Sequence, residues 1–336
     1  MNALQIDQYK QSVHLKDVPI PKISADQLLI EVSAASVNPV DYKIQQGDGK
    51  WLLGNHLPLT LGHDFSGVVK EVGEAVQGYQ VGDRVFGRAP RTGSFCEYLA
   101  VGENDLALAP TSISLVDAAA VPLVALTAWQ GLVEGVHLQA GQTILITGGS
   151  GGVGSAAIAL AHSLGATVIT TASEQGQAFL AAYQPEQVIN YQTTDFKQVV
   201  KDVDAAFDTR GGQTLADVCA VVKPKGKIAT IVALPTKDFA KKIGLNKGAQ
   251  VLLQVLNYKN IRRTKQRQQQ FYAFFTQSNS QQLAHIAKLI DEQKFPVIVE
   301  QKFSMKDGQA AINQVKKGHV KGKVIIVVKE DAGLAE

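Results

Sequence analysis

The stretch from Gln142 to Thr171 limits what this chain can fold into more than any other. A β-rich run, Thr143-Ile144-Leu145-Ile146-Thr147, leads into a glycine turn and then a helix-like run, Ser155-Ala156-Ala157-Ile158-Ala159-Leu160-Ala161. A second strand-like segment follows at Ala166–Thr171. Within the turn, Gly149, Gly151 and Gly154 have G-x-G-x-x-G spacing: one glycine for a tight turn, one for close approach of a pyrophosphate, one for packing of helix on strand. Gly149, Ser150, Gly151, Gly152, Val153 and Gly154 are therefore expected to hold a dinucleotide at a helix N-terminus, where free N–H groups and a partial positive charge meet phosphate. The plainer alternative is a tight strand–helix turn without a ligand.

What ends the second strand decides which dinucleotide. A carboxylate there accepts bonds from the adenine ribose hydroxyls and repels a 2′-phosphate. Here the strand runs out through Thr170, Thr171 and Ala172 into Ser173, and the first acid is Glu174. Ser173 at the discriminating place favours NADPH. Glu174 argues the other way, because a small backbone rotation would bring it to the ribose.

A chain of 336 residues can hold two domains with separate cores. Its 45% apolar and 19% charged content is that of a globular protein, and a net charge of +3 does not imply nucleic acid. The first seven residues show no signal-peptide pattern, and two cysteines, Cys96 and Cys219, read as buried free thiols. A cytoplasmic protein with no membrane partner is expected. The charge-free stretch between Glu134 and Glu174 is broken by glycines, His137 and His162, so it reads as buried sheet and helix, not as a membrane span.

The first ~120 residues alternate short β-like runs with Gly and Pro, which suggests a compact, partly barrel-like β domain. From Leu126 the rhythm is strand–helix, with strands expected at 143–147, 166–171, 187–190, 203–207 and 226–232. Helices are expected at 153–164, 175–182, 194–201 and 212–222. That pattern makes an α/β chain with a doubly wound parallel sheet. A helix over 281–293, a strand over 297–303, a helix over 306–317 and a strand over 323–328 close the chain.

With these pieces assembled, the sequence resembles the medium-chain dehydrogenase/reductases, and within them the zinc-independent quinone-oxidoreductase and enone-reductase branch that includes zeta-crystallin. The resemblance rests on separate blocks in order: Ser36–Lys43, Gly62–Val69, Val81–Gly87, Gly93–Tyr98, the glycine turn, Phe207–Gly212 and Gly318–Lys323. It implies a GroES-like β-rich catalytic domain from 1–122 with 277–336, and a Rossmann domain over 123–276. The zinc-dependent relatives hold their catalytic metal with two cysteines and a histidine. Asn38 and Leu123 stand at the cysteine positions and His63 at the histidine position, so no metal is expected.

Without a Lewis acid, alcohol oxidation is hard, whereas hydride donation to an electrophilic quinone or α,β-unsaturated carbonyl needs only positioning and an oxyanion donor. The resemblance implies the same NADPH-dependent reduction. The expected catalytic residues are Lys43, Tyr42 and Asn38. Lys43 either donates to the enolate oxygen or is a solvated surface lysine. Tyr42 faces the other way if the segment is extended, and Asn38 also reaches the nicotinamide ribose. Asp41 reads as a turn brace, and His63 with Asp64 as a weaker acid/base pair. Thr127, Tyr191, Val232, Ala233 and Leu234 carry over as further cofactor contacts, and Lys323 reads as a plain strand-end lysine.

Trp51 could cover a flat acceptor or simply be buried. The basic run Lys259–Arg267 reads as a charge-protected edge strand, a homodimer contact as in relatives, or a nucleic-acid patch, with nucleic acid the least expected. An enoyl-thioester reductase and a non-catalytic NADPH-binding sensor or nucleic-acid binder are the competing functions.

Overall fold

The computed structural model describes residues 1–48, 57–318 and 320–329. They form two compact units, Met1–Leu126 with Gln277–Glu336, and Thr127–Thr276. Trp51, proposed as a lid residue, lies outside the described residues.

The first unit opens with β1 (Asn2–Ile6), β2 (His14–Asp17), β3 (Gln27–Val37), α1 (Pro39–Gln45), β4 (Leu59–Thr60), β5 (Asp64–Val72), β6 (Arg84–Arg88), β7 (Tyr98–Gly102) and β8 (Leu106–Leu108). The helix α2 (Leu115–Ala118) follows, and α3 (Pro122–Trp129) contains the boundary between the units at Leu126 and Thr127. β3 is the central strand, pairing with β5 and β7. Leu28, Ile30 and Val32 pack with Phe65, Val69, Val85 and Leu106 in one core. The β3–β5 register shifts between Val32 and Ala34. Such a bulge re-aims the side chains beyond it, so Ala35 and Val37 enter a second core with Leu4, Leu61 and Phe95.

The second unit is built on β9 (Thr143–Ile146), α4 (Gly152–Ser163), β10 (Thr167–Ala172), α5 (Glu174–Leu180), β11 (Gln187–Asn190), α6 (Phe196–Val199), β12 (Val203–Asp208), α7 (Gly212–Val221) and β13 (Val222–Thr230). Then come α8 (Lys237–Lys242), α9 (Lys247–Leu256), α10 (Tyr258–Gln266) and β14 (Gln270–Ala273). The six strands are all parallel, in the order β11-β10-β9-β12-β13-β14. Ile144, Leu145 and Ile146 are all fully buried, as expected where helices cover both faces of a sheet. The chain leaves β9 in opposite directions toward β10 and β12, which makes the carboxyl ends of β9 and β12 a topological switch point. The basic run is helical, in α10, so the edge-strand reading is corrected: its Thr264 hydroxyl bonds back to Asn260 O at 3.0 Å and the segment closes on itself instead of pairing.

The chain returns to the first unit with α11 (Ser280–Asp291), β15 (Val299–Ser304), α12 (Gly308–Lys317) and β16 (Lys323–Val327). β16 pairs with β3, extending that sheet to the order β15-β16-β3-β5-β6-β8. It thereby sets Lys323 beside the end of β3, since Val324 opposes Val37.

Candidate active site

The glycine turn lies between β9 and α4, and its glycines are required for different reasons. A Cβ on Gly149 would sit 2.2 Å from Thr170 Oγ1, and one on Gly154 would sit 2.2 Å from Gly148 O. Those two positions admit no side chain because helix and strands cross too closely. Gly151 is another case: with φ −79° and only Gly148 O within reach, at 3.5 Å, a Cβ would make ordinary contact. The fold does not demand glycine there, whereas close approach of a pyrophosphate to the backbone would. The first donor taken up by α4 is Ser155 N–H, to Gly151 O at 2.9 Å. The N–H groups of Gly152, Val153 and Gly154 stand before it as the open donors of the helix terminus. A dinucleotide pyrophosphate fits this cradle.

The carboxyl ends of the neighbouring strands are tied to it by Asp208, a fully buried residue whose role the sequence did not reveal. Its Oδ1 accepts from Thr147 Oγ1 at 2.9 Å, and its Oδ2 accepts from Thr230 Oγ1 at 3.0 Å and Gly211 N–H at 3.0 Å. One carboxylate thus joins the ends of β9, β12 and β13. The next loop places Arg210 against the turn, its Cδ 3.1 Å from where a Gly148 Cβ would lie. Arg210 is exposed, and its guanidinium has no partner among the described residues. A cation beside an anion cradle is a functional signal that the sequence reading passed over.

The expected adenosine-end residues come together. Ser173 caps α5, its hydroxyl accepting from Gly176 N–H at 3.3 Å. The parallel register sets Ala172 against Asn190, so Tyr191, 53% exposed, follows immediately alongside. Glu174 is exposed and its N–H donates to Gln192 Oε1 at 3.3 Å. Val232 and Leu234 are exposed after β13 and Ala233 is half-buried, while buried Thr127 shares a 2.6 Å hydrogen bond with Thr276.

In the first unit the expected catalytic segment is helical. Pro39 starts α1 and Asn38 is its N-cap, so the extended geometry that put Tyr42 and Lys43 on opposite sides is corrected: successive helical residues lie about 100° apart. Lys43 is exposed, without a side-chain partner among the described residues. Tyr42 is half-buried against the core of Leu4, Val37 and Ile312.

Asn38 is buried in a polar network drawn from four stretches of sequence. Its Nδ2 donates to Asp64 Oδ2 at 2.8 Å and to Ser36 O at 3.2 Å, and its Oδ1 accepts from Lys323 Nζ at 2.5 Å. Asp64 Oδ2 also accepts from Ser36 Oγ at 2.7 Å and Lys323 Nζ at 3.3 Å, and its Oδ1 accepts from Leu123 N–H at 2.7 Å. Lys323 is therefore no plain strand-end lysine; it is 6% exposed and paired in the interior. His63 does not pair with Asp64. Its Nδ1 meets Asp41 Oδ1 at 2.7 Å, while Asp41 Oδ2 accepts from Asn38 N–H at 2.7 Å. Asp41 braces the start of α1, as its position in the helix requires. Nearby, Arg88 is pulled below its usual range by burial, against the opposing charges of Asp64, Asp105 and Asp41.

Zinc does not fit these residues. Asn38 and Leu123 offer no thiolate, which leaves His63 as a single ligand, too few to hold the ion. Cys96 and Cys219 are free and buried in different units, and burial pushes their thiols up to about 12 and about 11.

Comparison with known proteins bears on the fold and the family. Residues 24–148 match the alcohol dehydrogenase GroES-like domain family and residues 185–326 the zinc-binding dehydrogenase family. The mouse mitochondrial NAD(P)H oxidoreductase RTN4IP1 is 31% identical over 98% of this chain and 89% of its own. The chloroplastic NADPH-dependent alkenal/one oxidoreductase of Arabidopsis thaliana is 36% identical over 66% of this chain and 58% of its own. Among solved structures, a quinone oxidoreductase from Coxiella burnetii superposes with TM-score 0.86 at 34% identity, covering 98% of this chain and 99% of that one. The expectation of a cytoplasmic protein is corrected by these relatives, whose mitochondrial and chloroplastic locations point away from it. An N-terminus without a recognisable signal carried too little information for that inference. By its fold, its replaced metal positions and these full-length matches, the chain belongs to the zinc-independent quinone-oxidoreductase and enone-reductase branch of the medium-chain dehydrogenase/reductases.

Proposed function

We propose that this protein is an NADPH-dependent reductase that passes hydride to quinones or to the C=C bond of α,β-unsaturated carbonyls. The observation that carries the reading is Gly151, a glycine the fold does not need, at the mouth of an open helix terminus. When bound, the reduced nicotinamide supplies the hydride. The chain's own residues do the rest. Gly149 to Gly154 hold the pyrophosphate through main-chain N–H groups. Ser173, with no carboxylate at the end of β10, leaves room for a 2′-phosphate, and Arg210 supplies positive charge beside the turn. Tyr191 borders the adenosine end, and Thr127 with the backbone of Val232, Ala233 and Leu234 borders the carboxamide.

Lys43 donates to the oxygen that gains negative charge as hydride arrives, with Tyr42 as the second donor. Asn38 holds the start of α1 against Asp64 and Lys323, which fixes the helix carrying both. A homodimer belongs to the same reading, with the open edge strand β14 as its natural seam.

Stopped-flow mixing of the NADPH complex with benzoquinones and with 2-alkenals tests the proposal. Rapid loss of the nicotinamide absorbance is the expected outcome. Tight NADPH binding with no oxidation by any electrophile would leave a nucleotide sensor in its place.

A further inference from the structure

The strand β15 ends its sheet, paired with β16 on one side and with no described strand on the other. An open edge of this kind is a template for a further strand unless charge guards it. The charged side chains of β15 are occupied elsewhere. Lys302 Nζ is held by Asp117 at 2.9 Å, and Glu300 Oε2 accepts from Lys321 N–H at 3.1 Å. Lys302 projects from the sheet face opposite that of Gln301 and Phe303, because side chains alternate along a strand.

On the face of Gln301 and Phe303 runs a groove of about 660 Å³ between β15 and α12. Its helix wall is Ala310, Asn313, Gln314 and Lys317, at the i, i+3, i+4, i+7 spacing of one helix face. The other face of α12 turns Ala311 and Ile312 into the core of Leu4 and Val37, and Phe303 packs against that same core. Asn313 is held in place. Its Oδ1 accepts from Gln309 Nε2 at 2.9 Å, while Gln309 Oε1 accepts from Val13 N–H and Gln45 Nε2, both at 2.8 Å. The amide nitrogen of Asn313 is left as a donor on the groove wall.

Charge and chain direction identify the occupant. Between Glu300 and Lys323 there are six lysines and two acids. Both acids are engaged, Glu300 by Lys321 N–H and Asp307 by Ser304 Oγ at 2.6 Å. Lys316 and Lys317 line the groove, are exposed, and have no side-chain partner among the described residues. β15 and β16 are parallel, so α12 between them runs back, and its last turn with these lysines lies at the start of β15. A chain pairing antiparallel to β15 therefore brings its carboxyl-terminal half to the lysines. A small anion would use the lysines and leave Phe303 and the strand edge idle. We propose that this groove takes an extended acidic peptide segment of a partner protein, added to β15 as an antiparallel strand. An apolar side chain of the segment sits over Phe303 and Ala310, and a carboxylate two residues later meets Lys316 and Lys317. The site lies within the first unit and does not depend on the reductase reading.

Fluorescence polarisation of the full chain with the fluorescein-labelled peptide Ser-Thr-Leu-Thr-Glu-Thr-Glu provides the test. Saturable binding that weakens as salt rises is expected. Changing both glutamates of the peptide to glutamine should raise Kd about tenfold or more. Lys316→Glu with Lys317→Glu should do the same, and so should Ala310→Gln, which fills the groove from an exposed helix position. Melting temperature and turnover of a water-soluble quinone should stay unchanged in both proteins. Of two peptides N-methylated at alternate amides, one in each register, the one robbed of its donors toward β15 should bind about tenfold more weakly. The proposal is overturned if the peptide is not bound, if its glutamine form binds equally well, or if both N-methylated forms do. It is equally overturned if inorganic phosphate or free glutamate displaces the peptide at concentrations near the peptide's own Kd, because the groove would then be a small-anion site. Loss of a dimer in Ala310→Gln with peptide binding untouched would also sink it, since the edge would then serve a second copy of this chain.

Discussion

The glycine turn of the second unit and the polar network of the first present polar groups in opposite ways. The turn uses main-chain groups from one short stretch, Gly148 to Gly154, and its specificity lies in absent side chains. The network uses side chains from Ser36–Asp41, His63–Asp64 and Lys323 with the main-chain N–H of Leu123, and its side chains meet only because β16 pairs with β3 and β3 with β5. A backbone site can be read from a local pattern. A side-chain site assembled by sheet pairing cannot, because nothing near Lys323 in sequence announces Asp64.

The network gives the largest expected effect. Lys323→Met removes one partner of a buried ion pair and leaves Asp64 without its cation and Asn38 Oδ1 without its donor. Breaking such a pair costs about 3–5 kcal/mol, whereas replacing both partners is far milder. Urea unfolding of Lys323→Met should show a loss of that size, and adding Asp64→Asn should recover much of it. If the double variant is as unstable as the sum of the singles, the network is not a coupled unit and the contrast with the turn fails.

Most of the fold was legible because its signals are local. The strand–turn–helix at 143–163 was read within a residue of its observed bounds, and so was β11. The parallel sheet followed from strand–helix alternation. Less was legible where tertiary contact overrides local pattern. α1 starts at Pro39 and is held by Asp41 and Asn38, so a segment that could be read as extended is a helix. The helices α8, α9 and α10 were missed because glycines at 244 and 248 and a polar, basic run mask their periodicity. Asp208 was visible only as part of a motif, since its bonds reach Thr147 and Thr230, 61 and 22 residues away. Arg210 became a candidate only when the loop after β12 set it beside Gly148.

Two glycines of the turn sharpen the comparison next. Gly154→Ala forces a Cβ to 2.2 Å from Gly148 O, so it should cost about 1–3 kcal/mol and weaken NADPH binding through lost structure. Gly151→Ala meets only an ordinary contact, so its melting temperature should stay near wild type while its NADPH dissociation constant rises about tenfold or more, roughly 1.4 kcal/mol. Equal loss of stability in both variants would mean that Gly151 serves packing, not a ligand. Ser173→Asp acts on the same site through charge. It should move the ratio of NADPH to NADH affinity toward NADH by about tenfold, a change measurable by nicotinamide fluorescence. Arg210→Gln should weaken NADPH by a similar or smaller factor, and an unchanged Kd would remove Arg210 from the site.

Asp291 combines the two modes and gives the smallest expected effect. It is a side chain at the end of α11, yet Oδ1 accepts from the main-chain N–H groups of Thr111 and Ser112, both at 2.9 Å, across 180 and 179 residues. Partial burial works to raise its carboxyl, but the hydrogen bonds from Ser112 and Thr111 prevail and hold it below the usual range. A carboxyl depressed in the folded state stabilises above its unfolded pKa, and that stabilisation is lost as pH falls through the folded value. Asp291→Asn should therefore cost about 1 kcal/mol or less near pH 7. The gap between variant and wild type should close on acidification below the ordinary carboxylate range. Thermal melts of both proteins at descending pH read this directly. A gap that stays constant with pH would show that the clamp works by shape rather than by charge, which would set it apart from both the turn and the network.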